Sequence, residues 1–130
     1  MLDCPASRET GNLTLEDFFT NHSASRAIFD ALQQAIASIG PAEVRVTKSQ
    51  VAFRRTRAFA WAWMPGMYLR GNPAPLVLSI ALRRRDASPR WKEIVEPAPG
   101  RFMHHLALYS PAEVDGEVLR WLQEAWEQAE

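Results

Sequence analysis

Six consecutive residues, Ala58-Phe59-Ala60-Trp61-Ala62-Trp63, alternate a methyl group with an aromatic ring. Period two is the side-chain geometry of a β-strand; a helix would scatter the same residues around its circumference. The run therefore predicts a strand with Phe59, Trp61 and Trp63 on one face and three alanines on the other. Large rings need something to pack against, which favours the aromatic face under helices, but the alternation alone leaves open whether Trp61 and Trp63 face the helices or the open side. Pro65 and Gly66 stop the strand.

The rest of the chain supplies partners for it. Leu76, Leu78, Ile80 and Leu82 share one face of a second apolar strand, with Val77, Ser79 and Ala81 behind them. Val44–Lys48 and Gln50–Arg54 alternate in the same way around Ser49, as a hairpin or one bent strand. Trp91–Val95 reads as a short strand closed by Pro97, and Arg101–Tyr109 as the last one. Before the strands, Thr14 and Asp17 have capping-box spacing ahead of a short helix. Ile28, Leu32, Ala35, Ile36 and Ile39 then mark an amphipathic helix, which Gly40 and Pro41 are expected to end through a left-handed cap. After the strands, Ser110-Pro111 opens a helix whose stripe is Val118, Leu119, Leu122, Ala125 and Trp126. The predicted fold is α+β: two N-terminal helices, a mostly antiparallel sheet of about five to six strands, and a C-terminal helix packed on one sheet face. Residues 1–12 read as a loose leader and 13–130 as one domain.

At 130 residues and 47% hydrophobic content the chain can bury a core without staples. The single cysteine, Cys4, excludes an internal disulfide framework and a cysteine-based zinc site. No apolar run reaches the ~18 residues of a membrane span, and the N-terminus lacks the apolar stretch of a signal peptide. The expected setting is cytoplasmic, without a membrane partner. No phosphate-binding or dinucleotide-binding glycine loop and no nucleophile elbow occurs, so no cofactor is expected and no catalytic set is assigned.

Charge is zero overall but unevenly placed. Residues 44–92 carry eleven basic side chains and one acid, a net of +10, and the rest of the chain carries −10. The sheet is thus basic and the helices acidic. Arg54, Arg57, Arg83, Arg84 and Arg85 form the candidate set for a nucleic-acid partner, which predicts salt-sensitive affinity. A solvated, charge-protected sheet edge explains the same residues without a ligand.

The adjacent histidines His104 and His105 point to opposite faces of a strand and cannot share a metal. His104 shares its face with Phe102, Leu106 and Leu108, as a hydrogen-bonded, partly buried histidine. His105 shares the small-residue face and is the better site candidate. That face, with Ala52, Ala58, Ala60, Ala62, Val77, Ser79 and Ala81, predicts a shallow open floor rimmed by Lys48, Arg54 or Arg101. It suits a ligand pocket or a homodimer interface.

Ala58–Trp63, Ile94–Leu106 and Glu113–Ala125, with Thr14–Asp17 and Thr47–Ser49, resemble a bacterial family of unknown function. Its members are small cytosolic α+β proteins, some labelled predicted transport proteins, similar in layout to YjbR- and YdhG-like domains. The resemblance covers about residues 13–128. It implies Lys48, Phe53, Trp61, Arg101, His104 and His105 as site positions without roles. Together these readings favour a non-enzymatic module that binds a small anionic ligand or a protein partner through Lys48, Arg55, Arg101 and His105. Nucleic-acid binding is the alternative, and a small hydrolase or isomerase using His105 is the weakest reading.

Overall fold

The computed structural model describes residues 13–67 and 73–130; the expected leader over 1–12 and the loop positions Gly71 and Asn72 lie outside them. Helix α1 (Leu15–Phe18) opens with the expected capping box: Thr14 Oγ1 accepts the Asp17 amide and the Asp17 carboxylate accepts the Thr14 amide. Helix α2 (Ser23–Ile39) buries Ile28, Phe29, Leu32 and Ile36. Strands β1 (Glu43–Val46), β2 (Val51–Arg54), β3 (Ala58–Trp63), β4 (Leu76–Leu82), β5 (Glu93–Ala98) and β6 (Arg101–Leu108) follow, and α3 (Gly116–Gln128) ends the order. The fold is α+β, with one six-stranded, fully antiparallel sheet in the order β1-β2-β3-β4-β6-β5. Between β4 and β5 the chain skips one position, which β6 then fills. Helices α2 and α3 pack against the sheet and each other.

Two boundaries differ from expectation. Trp91 precedes β5; its ring lies in the core against Trp121, with centroids 4.1 Å apart. β5 instead runs on through Pro97, which an edge strand tolerates because one row of its amides needs no partner. Ser110-Pro111 opens only a 3-10 turn, and α3 starts afresh where the Asp115 carboxylate caps the Val118 amide.

The faces of β3 are the reverse of those expected. Ala60 pairs with Ile80 and Ala62 with Leu78, so both alanines lie on the helix side and are fully buried. Trp61 pairs with Ser79 and Trp63 with Val77, which places both indoles, half-buried, on the side without helices. The interlayer bulk comes from Phe29, Leu32, Trp121 and Leu122 on the helices and Leu78 and Ile80 on β4. At packing densities near those of organic crystals, methyl groups fit beneath such side chains and indoles do not. Phe59 escapes the alternation. Phe53 pairs with Ala60 and Arg54 with Ala58, leaving Phe59 as the extra residue of a β-bulge whose ring joins the core.

Gly40 also serves a different purpose from the expected left-handed cap. Its φ of 170° is extended backbone open to any residue. A Cβ at this position would overlap the Trp126 ring, whose Nε1 donates to the Pro41 carbonyl at 3.0 Å. Glycine is required here by the close docking of α3 on the end of α2. Gly40→Ala should destabilise the fold by ~1–3 kcal/mol through overpacking, read as a lower urea midpoint. An unchanged midpoint would show that the Trp126 ring moves aside freely.

Candidate functional site

The reversal of β3 builds a cleft on the open sheet face. Trp61 and Trp63 of β3, Ser79 of β4, and Met103 and His105 of β6 line it, and Ser49 and Gln50 of the β1–β2 turn close one end. Its volume is about 370 Å³, in the range of small-molecule sites. The turn is held by Thr47, whose Oγ1 accepts the amides of Ser49 and Gln50 at 3.3 and 3.2 Å. This side-chain mimic of a backbone turn holds Ser49 and Gln50 at the cleft.

A hydrogen-bonded chain crosses the floor. Trp63 Nε1 donates to Ser79 Oγ at 3.0 Å, and Ser79 Oγ lies 2.7 Å from His105 Nδ1. Burial pushes the His105 imidazole below its ordinary value near 6.5, with Glu93 opposing and Lys92 assisting the shift. The ring is therefore neutral at pH 7. The Ser79 hydroxyl is almost inaccessible to water, and its proton needs an acceptor. The chain thus runs from the indole N–H to the serine hydroxyl to Nδ1, leaving the ring proton on Nε2. The Trp63 and His105 rings meet edge to face at 6.4 Å. A hydroxyl on an imidazole is half of a nucleophilic pair, but among the described residues nothing hydrogen-bonds Nε2 to orient or charge the ring. The arrangement holds a rigid polar strip that runs from Trp63 across β4 to β6, with Trp61 beside Ser79 on β3.

The other sequence candidates disperse. His104 is fully buried on the helix side. Its Nε2 accepts the Asp86 amide at 3.0 Å, so Nδ1 carries the proton and donates to the Phe102 carbonyl at 3.2 Å. Burial lowers its pKa as well. The same Asp86 takes hydrogen bonds from Trp91 Nε1, the Ser88 amide and Arg84. Burial pushes that carboxyl up, but these donors outweigh it and bring it to about 2. His104 therefore pins the turn after β4. Phe53 lies in the core, stacked on Phe29. Arg55 is at the end of α3, its guanidinium 3.6 Å from the Trp126 ring and donating to the Trp126 carbonyl. None of these three borders the cleft. Lys48 sits exposed in the turn beside Ser49.

The arginines of the nucleic-acid set are largely engaged within the chain. Arg54 pairs with Glu43, and Arg84 binds Glu124 with two nitrogens and Asp86 with a third. Arg83 donates to the Gln128 carbonyl at 3.1 Å. Arg57 gives its amide to the Ala129 carbonyl, and Arg85 is exposed. Arg57, Arg83 and Arg101 line a second cavity of about 250 Å³, closed by Gly100 and the end of α3.

Trp63 and Met103 are functional candidates with no site signal in the sequence, and Ser79, expected on the open floor, gains a hydrogen-bonding role. The signal for Ser79 was present: it is the one polar residue in Leu76–Leu82. Among the described residues no helix is long and apolar enough to cross a membrane, and no group of three or more His, Cys, Asp or Glu could hold a metal.

A family model described as a domain of unknown function, DUF5655, matches residues 15–129, and the chain belongs to that family. No curated protein and no solved structure matches the chain significantly.

Both β6 histidines, the buried His104 and the half-buried His105, have folded-state pKa values below the unfolded one. The unfolded chain then takes up protons first on acidification. Stability is full above about pH 6.5 and falls as pH drops toward the folded values. Urea midpoints at about pH 7.5 and about pH 5 should show this loss, and His104→Gln should flatten the difference. A pH-independent midpoint in the wild type would contradict it.

Proposed function

We propose that this member of the family is a binding module whose open sheet face holds the planar ring of a small molecule. The observation that supports this reading is the pair of half-buried indoles, Trp61 and Trp63, side by side on β3 next to the fixed Ser79–His105 pair on a face no helix covers. An exposed indole face offers stacking to any flat ring, and the thioether of Met103 adapts to its outline. Gln50, Ser49 and the cleft-side polar atoms provide the few directional contacts that orient a ring. The hydroxyl of Ser79 is already engaged on both sides, so the strip serves as a recognition surface and not as a nucleophile.

Titration with adenosine and other heteroaromatic compounds, followed by tryptophan fluorescence, tests this. At least one should saturate the wild type. Stacking on a ring is worth ~1–3 kcal/mol, so Trp61→Ala should weaken that compound about tenfold or more. Trp126→Phe, remote from the cleft, should bind as the wild type does. Equal affinity in Trp61→Ala would overturn the cleft as the site. A wild-type dimer that becomes monomeric in Trp61→Ala on sedimentation would identify the face as a subunit contact instead.

A further inference from the structure

We infer that the ligand of the open face carries a phosphate, held by Arg57, Arg83 and Arg101, and that it is of the nucleoside phosphate class. This rests on the ring-binding reading of the cleft and extends it to the neighbouring cavity.

Three observations meet at that cavity. First, its lining contains three arginines and no Asp or Glu. Arg26, Arg45, Arg54, Arg84 and Arg90 each face a carboxylate within 4.0 Å, whereas Arg57, Arg83 and Arg101 have none among the described residues. Second, the corner is built. Gln128 fixes Arg83 through both its carbonyl and its side-chain oxygen, and the Ala129 carbonyl fixes the backbone of Arg57. Arg101 follows the Pro99-Gly100 turn, where Gly100 has a φ of 76° that favours glycine. A guanidinium retains several donors after one bond is made, and a planar fork suits phosphate oxygens.

Third, the corner sits at the end of the sheet next to the cleft, where β4, β6 and the end of α3 meet. On β6, His105 and Met103 line the cleft and Arg101 the cavity; on β4, Ser79 lines the cleft and Ala81 the cavity. Met103 and Ala81 pair across the two strands. Two residues of strand are roughly 7 Å, so the arginine corner begins one such step from the indoles. On β4, Ala81 follows Ser79 on the open face, and behind it the cavity runs around the sheet end to Leu82, Phe59 and Ala125 on the helix side. A base against Trp61 and a phosphate at the arginines would match the reach of a nucleoside phosphate.

Calorimetric titration of the whole chain with AMP, GMP, CMP and UMP, the matching nucleosides, inorganic phosphate and a single-stranded oligonucleotide tests this. At least one monophosphate should bind about tenfold or more tightly than its nucleoside, as charge-assisted contacts to phosphate imply. The double variant R57Q/R101Q, at two exposed positions, should remove that advantage and leave nucleoside affinity unchanged. Ala81→Leu, which adds bulk to the cavity wall nearest the cleft, should weaken the monophosphate and spare the nucleoside. Equal binding of nucleoside and monophosphate would overturn the phosphate inference while leaving the cleft reading intact. An advantage that survives in R57Q/R101Q would overturn the arginine assignment. Phosphate binding as tight as the nucleotide, with no nucleoside binding, would overturn the joint site, as would binding of the oligonucleotide alone.

Discussion

The layout of this protein depends on the close approach of its helices to the centre of the sheet. Ala60 and Ala62 are fully buried there, and the bulk around them comes from the helices and β4. Larger side chains at the same positions would hold the layers apart and open voids on either side. Once the alanines face inward, strand geometry sends Trp61 and Trp63 outward. The cleft is therefore a by-product of how the core is packed. The bulge at Phe59 allows one ring of the same strand to remain inside.

The separation of charge along the chain has a structural use. Arg84 joins the segment after β4 to Glu124, and Arg90 joins the segment before β5 to Asp115 and Glu117. At the other end of α3, Arg55 and Arg83 donate to carbonyls of the last turn, and the amides of Thr56 and Arg57 meet Ala129. Cations at a helix C-terminus complement its partial negative charge. The basic sheet and acidic helix thus hold each other in place, and much of the net charge of residues 44–92 is met within the molecule. Arg57, Arg83 and Arg101, which meet at one cavity, face no carboxylate within 4.0 Å among the described residues.

The adjacent histidines show how one strand divides its chemistry between two faces. His104 turns inward, accepts a backbone amide and ties down the turn at Asp86. His105 turns outward and receives the Ser79 hydroxyl. Both are neutral because burial disfavours the imidazolium. Their roles differ because their hydrogen-bond partners differ, and the partners follow from strand parity.

Local pattern alone determined the element order, the antiparallel character of the sheet, the capping box at Thr14 and the opposite facing of His104 and His105. Each depends on neighbours a few residues apart, which periodicity and cap chemistry record directly. The tertiary structure decided which face of β3 lies under the helices, because the alternation is symmetric and only the volume of the opposing layer breaks the tie. It also decided that Gly40 answers to Trp126, that Arg55 belongs to α3, and that Phe53 lies in the core. The candidate cleft was partly legible: strand parity put Ser79 and His105 on the open face, and the resemblance named Trp61, while the places of Trp61, Trp63 and Met103 in the cleft came from pairing β3, β4 and β6. Those contacts join residues far apart in the chain, and no local spacing encodes them.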